Sequence, residues 1–238
     1  MPAIDTDFPM QTPTARRPLL GLTILAVEDS LYTCETIRLI CLRSGARVRR
    51  ADCLRSARRH LQVYRPSVVI VDMGLPDGSG VDLIAELAEA TPRISGLLGL
   101  SGDPETEAHA RQAGADGFLT KPMASLAEFQ QAVLAVLPEA QQPLGPRILY
   151  DDTVIPDRMA YRDDMTHAGS LLEEDSDERI LDYVAQFLRG VARSAEDNVL
   201  AEAAQDLATH RTQGRNSAEV ITRVRRLVQE RITAQIAL

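Results

Sequence analysis

The sequence predicts an α/β fold: a doubly wound sheet of five parallel strands over residues 20–140, followed by a small all-α helical domain. Two observations predict this fold. Short apolar runs alternate with segments whose apolar residues recur at helical spacing, and such strand–helix units build parallel sheets covered by helices on both faces. The run at residues 67–71 is also rich in β-branched residues, as is typical of strands buried on both faces.

The elements follow one another in order. Residues 22–27 form an apolar run that ends in an acidic pair, and residues 32–44 keep helical spacing until Gly45 ends the helix. A brief second strand begins at Val48. The remaining strands are predicted at residues 67–71, 94–100 and 117–119, and the remaining helices at residues 56–64, 81–89, 105–113 and 126–137. The fourth strand contains two glycines, so we expect it to be looser than the others.

Polar side chains stand at the ends of four of these strands. Glu28 and Asp29 follow the first strand, Asp72 the third, Ser101 the fourth and Lys121 the fifth. Because ligands of such sheets bind at the carboxyl ends of the strands, we expect these side chains to share one crevice. Lys121 is the only lysine among the 26 basic residues of the chain, and a compact ammonium is suited to gripping one oxygen of a phosphoryl group.

This set of side chains indicates phosphoryl chemistry. Crowded carboxylates repel one another unless they are protonated or bridged by a divalent cation, and hard oxygen ligands suit Mg²⁺. We therefore predict a magnesium site. Next to the metal, Asp72 can attack phosphorus as a carboxylate nucleophile, while Lys121 neutralises one phosphoryl oxygen and Ser101 donates a hydrogen bond to another. The product would be an acyl phosphate on Asp72.

Four stretches of the sequence resemble the receiver domain of bacterial two-component response regulators. They are Val-Glu-Asp-Ser at 27–30, Val-Val-Ile-Val-Asp-Met-Gly-Leu-Pro-Asp-Gly-Ser-Gly at 68–80, Leu-Ser-Gly at 100–102 and Gly-Ala-Asp-Gly-Phe-Leu-Thr-Lys-Pro at 114–122. The resemblance implies a flavodoxin-like fold over residues 20–140. It also implies a signalling protein that takes a phosphoryl group from a histidine kinase or phosphotransfer protein. Such a protein is not an enzyme beyond its own phosphotransfer and dephosphorylation.

The resemblance also implies roles for individual residues. Asp72 would be the phosphoacceptor, and Glu28, Asp29, Asp72 and the backbone carbonyl of Gly74 would hold Mg²⁺. Each element alone is more often a solvated turn than a site, but together they stand in the family's order, and no key position is substituted.

The remaining matched positions concern the switch. Ser101 and Lys121 would contact the phosphoryl group, and Phe118 would be the switch aromatic, whose ring turns inward when the Ser101 hydroxyl moves toward the phosphate. The step from Lys121 to Pro122 is similar to a family step whose peptide bond is usually cis. In many family members the face that includes the fourth helix pairs two receivers, so a homodimer is one possible assembly.

Composition limits the other function classes. The net charge is −8 and the sequence pI is about 5.1, which argues against a basic nucleic-acid surface over the whole chain. Cys34, Cys41 and Cys53 are too few and too irregular for a disulfide framework or a zinc site. Residues 1–19 read as a flexible tail with neither a signal peptide nor a membrane span, so we expect a cytoplasmic protein with no membrane partner.

The second half is predicted to be helical. A linker is expected at residues 141–147 and a helical output or dimerisation domain at residues 148–238. Three capping boxes predict helix starts, at Asp175 with Glu178, at Ser194 with Asp197 and at Asn216 with Glu219. Residues 156–172 are a less regular fourth helix. The expected apolar positions are Ile180, Leu181, Val184, Phe187, Leu188, Val191, Val199, Leu200, Ala203, Leu207, Ile221, Val224, Val228 and Ile232.

Two other functions remain open for this half. Arginines cluster near the C-terminal end, at Arg211, Arg215, Arg223, Arg225, Arg226 and Arg231. They favour the solvated face of an amphipathic helix, but a divergent helix-turn-helix at residues 198–232 with its last helix in the DNA major groove is an alternative. A phosphotransfer bundle would need an exposed helical histidine, for which His167 and His210 are the candidates, although neither is followed by the usual hydrophobic-Lys-Gly pattern.

A magnesium-dependent phosphatase is the alternative for the first half. Such enzymes use an aspartate nucleophile and usually carry a second catalytic aspartate two residues further on. That position is Gly74 here, which favours the receiver.

Overall fold

The computed structural model describes residues 12–123, 125–144, 152–173 and 177–234. Within them, five parallel strands form one sheet in the order β2-β1-β3-β4-β5. The strands are β1 (Thr23–Val27), β2 (Arg47–Ala51), β3 (Val68–Asp72), β4 (Gly96–Ser101) and β5 (Gly117–Thr120). The strand order reverses between β1 and β3, which is the point at which such sheets bind ligands.

Helices cover both faces of this sheet. They are α1 (Leu31–Ser44), α2 (Leu54–Val63), α3 (Gly80–Glu89), α4 (Thr106–Gln112) and α5 (Leu126–Ala135). One apolar core lies between the sheet and the helices α1 and α5, and the other lies under α2, α3 and α4. The predicted α/β fold is confirmed, and the strand and helix bounds differ from the predicted ones by about two residues. Gly45 ends α1 with a left-handed backbone, φ 90°, as its position at the end of the helix predicts.

The glycines of β4 have a packing role. A Cβ atom at Gly99 would lie 2.8 Å from Cδ2 of Phe118 and 2.9 Å from Cβ of Ala110, and one at Gly96 would lie 2.6 Å from Cγ2 of Val136. All six residues of β4 are buried, and the strand pairs with β3 and β5. The glycines therefore let neighbouring side chains approach the strand. This packing explains the two glycines of β4, which the sequence alone did not explain.

The second half is helical, as predicted. Its helices are α6 (Arg158–Glu173), α7 (Glu178–Ser194), α8 (Asn198–Thr212) and α9 (Ala218–Thr233). They enclose an aliphatic core that includes Val184, Leu188 and Val224, so most of the predicted apolar positions are confirmed. Val199 is the exception, because it is exposed. Among the described helices, none combines the length and apolarity that crossing a membrane requires.

One of the three predicted helix starts, at Ser194, is wrong. Residue 175 lies outside the described residues, and the residue that precedes α7 is Asp177. Ser194 is the last residue of α7, so it cannot open α8, and Asp197 caps α8 instead, its carboxylate accepting from the backbone N–H of Leu200. The third start is close to the prediction, since the Asn216 side chain accepts from the backbone N–H of Ala218, the first residue of α9.

The proposed domain limits stay predictions. Residues 1–11 of the expected tail and residues 145–147 of the expected linker lie outside the described residues. Leu19, at the end of the expected tail, is fully buried in the core beside α1. Thr153 forms a β-bridge with Ser125, and Val154 joins the same core. The chain therefore packs against the α/β part once more before α6 begins.

Candidate functional site

The carboxyl ends of β1, β3, β4 and β5 bring the predicted polar residues together. Glu28, Asp29, Asp72, Ser101 and Lys121 line one cleft, and Gly74 lies at its edge. The parallel register places these ends side by side: Val27 pairs with Val71, Asp72 with Leu100, and Ser101 with Thr120. The order of apolar runs in the sequence thus determines which side chains meet.

Lys121 lies among the carboxylates. Its Nζ atom is 2.7 Å from Oε2 of Glu28 and 3.3 Å from Oδ2 of Asp72, and its side chain is only 5% exposed. Burial alone would lower the pKa of Lys121, but the charges of Asp72 and Glu28 outweigh burial and raise it. The ammonium is therefore charged at any physiological pH. The peptide bond between Lys121 and Pro122 is cis, as the sequence resemblance implies.

The single positive charge of Lys121 does not neutralise the negative charges of the three acids. Burial raises the pKa of Asp72 to about 7, Lys121 opposes that rise, and Glu28 adds to it. Burial, and then the charges of Glu28 and Asp72, raise the pKa of Asp29 as well. One carboxylate oxygen from each acid lies within 4.8 Å of the others. When all three acids are ionised, the cluster with Lys121 carries two net negative charges on hard oxygen atoms, a combination that fits a divalent cation such as Mg²⁺.

Ser101 and Phe118 lie on neighbouring strands, as predicted. The Ser101 hydroxyl accepts a hydrogen bond of 3.0 Å from the backbone N–H of Asp103, so it is held by its own loop. Phe118 is half-buried on β5, and its ring packs over Gly99 beside Ala110. Because Gly99 pairs with Phe118 and Ser101 with Thr120, the ring lies two residue pairs along the strands from the hydroxyl.

Helix α7 covers the cleft, which the sequence did not predict. The Tyr183 hydroxyl donates a 2.6 Å hydrogen bond to Oδ2 of Asp29. Arg189 donates to the Asp103 carboxylate at 3.1 Å, and Nη1 of Arg193 donates to the carbonyl oxygen of Gly102 at 2.5 Å. Helical spacing had identified only the opposite, apolar face of α7. No feature of the sequence marks these polar residues as part of the site.

Two further residues of α7 complete the cover. The Gln186 side chain lies so close to Gly74 that a Cβ atom at position 74 would collide with it. Gly190 faces Lys121, with 4.0 Å between the Lys121 Nζ atom and the place where a Cβ of residue 190 would lie. The small residue lets the helix approach the ammonium closely.

Helix α6 adds a second contact beside the cleft. Asp164 is 2% exposed, and its carboxylate accepts hydrogen bonds from the Ser30 hydroxyl at 2.8 Å and from the backbone N–H groups of Leu31 and Tyr32 at 2.7 and 3.1 Å. These donors belong to the N-terminal end of α1, which attracts negative charge. Burial nevertheless raises the pKa of Asp164 to about 6, although the three hydrogen bonds oppose the rise.

Comparison with known proteins identifies the α/β part. Residues 24–134 match the family model of the response regulator receiver domain. The transcriptional regulatory protein KdpE of the KDP operon of Escherichia coli K12 is 33% identical over 101 residues, which are 42% of this chain and 44% of KdpE. The cell cycle transcriptional regulator CtrA of Caulobacter vibrioides is 30% identical over 104 residues, which cover the same shares of the two chains. The chain thus matches less than half of the length of these relatives.

A solved structure is also similar. A response regulator protein of Burkholderia pseudomallei, determined with a phosphorylated aspartic acid, calcium ion and citrate, is 28% identical, and the match covers 47% of this chain and 66% of that protein with a TM-score of 0.43. The family assignment rests on the sequence match rather than on this similarity. The match to the response regulator receiver domain thus spans residues 24–134, just under half of this chain.

Proposed function

We propose that this chain is a two-component response regulator that accepts a phosphoryl group on Asp72 from a histidine kinase or phosphotransfer protein, in a Mg²⁺-dependent reaction. One observation carries the proposal: the Asp72 carboxylate ends β3 in a cleft where Lys121 and two further acids surround it. This combination of nucleophile, fixed cation and metal-ligating oxygens, together with the Ser101 hydroxyl, is what phosphoryl transfer to a carboxylate requires.

The proposed reaction uses residues of the cleft in defined roles. An Asp72 carboxylate oxygen attacks phosphorus, a P–O bond forms, and the P–N bond to the donor imidazole breaks as that imidazole takes up a proton. Lys121 holds one phosphoryl oxygen electrostatically and the Ser101 hydroxyl donates to another. Hydrolysis of the acyl phosphate later restores the Asp72 carboxylate and releases inorganic phosphate. The protein catalyses nothing beyond these two steps on itself.

The metal site would consist of Glu28, Asp29, Asp72 and the backbone carbonyl of Gly74. A bound Mg²⁺ would supply positive charge that offsets the charge on the transferring phosphoryl oxygens. The three carboxylates support this assignment. Burial, and to a lesser extent repulsion by neighbouring acids, raises the pKa values of Asp29 and Asp72, and a divalent cation would offset the negative charge that is disfavoured there.

The output would be carried by the helical part. We propose a receiver domain at residues 20–140, a linker at residues 141–147 and a helical output or dimerisation domain at residues 148–238, acting in the cytoplasm with no membrane partner. Movement of Ser101 and Phe118 on phosphorylation would change how this domain is held or how two receivers associate into a homodimer. The direct contacts of α7 with the Ser101 loop support a link between the two parts.

DNA binding is less well supported than a protein-interaction role. The relatives are named as transcriptional regulators, but the shared stretch is the receiver, not the helical part. Several arginines of the C-terminal cluster are engaged within the bundle: Arg211 with Asp182, Arg223 with Asp206, Arg226 with Glu230, and Arg231 with Asp197. These ion pairs favour the solvated face of a helix over a phosphate-binding surface.

Both histidines contact other residues of the bundle. His167 is exposed on α6, where its ring packs edge-on against Phe187 with 5.6 Å between ring centroids, and partial burial of the ring lowers its pKa. A ring nitrogen of His210 lies 3.2 Å from the carbonyl oxygen of Asn216. His167 therefore keeps the exposed helical position that a phosphotransfer bundle needs, and the missing hydrophobic-Lys-Gly pattern is the argument against that alternative.

Intact-mass spectrometry tests the proposal. The full chain is incubated with acetyl phosphate, with and without Mg²⁺, beside Asp72→Asn and the control Asp206→Asn, whose carboxylate lies on the surface of α8. We expect a phosphoryl adduct on wild type and control that requires Mg²⁺ and is absent from Asp72→Asn. An adduct on Asp72→Asn of equal yield would contradict the proposal.

A further inference from the structure

We propose that helix α7 and a hydrated divalent cation are mutually exclusive occupants of the cleft, with Tyr183 as the residue that competes for the metal ligand Asp29. Loading the cleft with Mg²⁺ would then release α7 from the receiver, and docking of α7 would weaken Mg²⁺ binding. This inference rests on the proposed function, because it assigns a regulator to the same metal site.

The first support is the hydrogen bond of Tyr183. Its hydroxyl lies 2.6 Å from Oδ2 of Asp29, and both residues are partly buried. Within the described residues, no other side chain donates a hydrogen bond to the Asp29 carboxylate. Tyr183 therefore satisfies an oxygen that a metal ion would otherwise take, and a phenol is a neutral donor that cannot offset the charge as a cation does.

The second support is the lack of room. The free volume of the cleft beneath α7 is about 20 Å³, which holds about one water molecule. Mg²⁺ requires about six oxygen ligands and keeps several of its waters when it binds proteins. Several waters, or a phosphoryl group with its three oxygens, need more room than a space that holds about one water, so they exceed the space that α7 leaves. Gln186, which lies over Gly74, occupies part of the volume that these ligands would need.

The third support is a pair of arginines of α7 that bind the loop after β4. Arg189 binds the Asp103 carboxylate and Arg193 binds the Gly102 carbonyl. The backbone N–H of Asp103 in turn donates to the Ser101 hydroxyl. Helix α7 thus holds the loop in the position in which the Ser101 hydroxyl is bonded to its own backbone. Movement of that hydroxyl toward a phosphoryl group would displace this loop and weaken the arginine contacts.

The two occupants are linked thermodynamically. If docking of α7 lowers the affinity for Mg²⁺ by some factor, Mg²⁺ must lower the stability of docking by the same factor. Removing the Tyr183 hydroxyl should therefore strengthen Mg²⁺ binding. A tyrosine that merely orients Asp29 for the metal would have the opposite effect, so the sign of the change distinguishes competition from positioning.

The experiment measures Mg²⁺ binding to the full chain by isothermal titration calorimetry. The variants are Tyr183→Phe and the control Tyr161→Phe, which removes a phenol bonded to Oδ2 of Asp197 at 2.8 Å elsewhere in the bundle. We expect Tyr183→Phe to bind Mg²⁺ about fivefold or more tightly than wild type and Tyr161→Phe to bind it equally. Equal or weaker binding by Tyr183→Phe overturns the inference.

Hydrogen exchange supplies a second readout. Mg²⁺ should speed amide exchange in the loop after β4, residues 102–105, of wild type, while amides of α7 and α8 keep their protection because the bundle stays folded. The variant Arg193→Ala should show fast exchange in this loop without Mg²⁺, and the control Arg223→Ala, whose ion pair is exposed, should not. Added protection of the loop with Mg²⁺ overturns the inference. Absence of Mg²⁺ binding in every variant would overturn the proposed metal site as well, whereas Mg²⁺ binding that leaves exchange in the loop unchanged overturns the competition alone.

Discussion

The Nζ atom of Lys121 lies 3.3 Å from the Asp72 carboxylate, farther than the 2.7 Å that separates it from Glu28. The closer acid holds the ammonium in place, and the more distant one is left with a weaker ion pair. A nucleophile bound too tightly by its cation would have to break that contact before reacting. The arrangement therefore keeps the Lys121 ammonium beside Asp72 without a tight ion pair that would hold back the Asp72 carboxylate.

Removing the buried ammonium should destabilise the fold. In Lys121→Ala, the buried carboxylates of Glu28 and Asp72 would lose the cation that they both contact, and breaking a buried charge cluster costs about 3 kcal/mol or more. Urea unfolding in metal-free buffer measures the loss. The control is Arg226→Ala, whose pair with Glu230 is exposed and contributes little. A Lys121→Ala protein as stable as wild type would contradict this role.

The bundle should lose stability in acid through Asp197. Its carboxylate accepts from both Arg231 and the Tyr161 hydroxyl and caps α8 through Leu200. Burial alone would raise the pKa of Asp197, but these hydrogen bonds outweigh burial and lower it. A lowered folded-state pKa means that the carboxylate contributes stability above its unfolded pKa and loses it as the pH falls through the folded value.

The corresponding variant is Asp197→Asn. We expect it to unfold about 2 kcal/mol more easily than wild type at pH 7, because charge-assisted bonds are replaced by neutral ones. The difference should shrink as the pH falls below about 4. Denaturant unfolding at several pH values measures it, and a difference that grows in acid would show that the direction of the pKa shift is wrong.

A methyl group on β4 should disturb the position of Phe118. Gly99→Ala places a Cβ atom 2.8 Å from the Phe118 ring and 2.9 Å from Ala110, and such overpacking costs about 1–3 kcal/mol. Gly99→Ala combined with Phe118→Leu should be more stable than the sum of the two single changes, because the smaller side chain makes room. Thermal unfolding of the four proteins measures this coupling. Strict additivity would mean that the two positions do not interact.

Loss of the Ser101 hydroxyl should slow phosphorylation without unfolding the protein. A hydrogen bond to a phosphoryl oxygen that strengthens as charge develops typically contributes tenfold or more to a rate. Ser101→Ala should therefore label with acetyl phosphate about tenfold more slowly than wild type, measured by mass spectrometry over time. The control is Ser170→Ala, which removes a surface hydroxyl on α6. Equal rates for Ser101→Ala and wild type would exclude a role for the hydroxyl.

Much of the receiver could be predicted from the sequence. Alternating apolar runs predicted all five strands and five helices, because the apolar pattern of each segment indicates how that segment is buried. Parallel pairing of the strands then places Asp72 and Lys121 in one cleft. The reason for Gly99 could not be predicted, since it depends on the ring of Phe118 across the next strand.

The cover over the cleft could not be predicted either. Helical periodicity shows which face of α7 is apolar, but it does not show what the polar face meets. The bonds from Tyr183 to Asp29 and from Arg193 to Gly102 join residues far apart in the chain, and surface complementarity of this kind leaves no local pattern. The capping boxes failed at Ser194 for a similar reason: α7 continues to that residue because its preceding turns pack into the bundle core.

Trapping the phosphorylated residue tests the central claim most directly. The full chain is labelled with acetyl phosphate and Mg²⁺ and then treated with borohydride, which reduces an aspartyl phosphate to homoserine, before peptide mass mapping. We expect the mass change in the peptide that contains Asp72 and no change at Asp29, Glu28 or His167. Homoserine at another acidic residue, or a phosphoryl group on a histidine, would contradict the assignment of Asp72 as the phosphoacceptor.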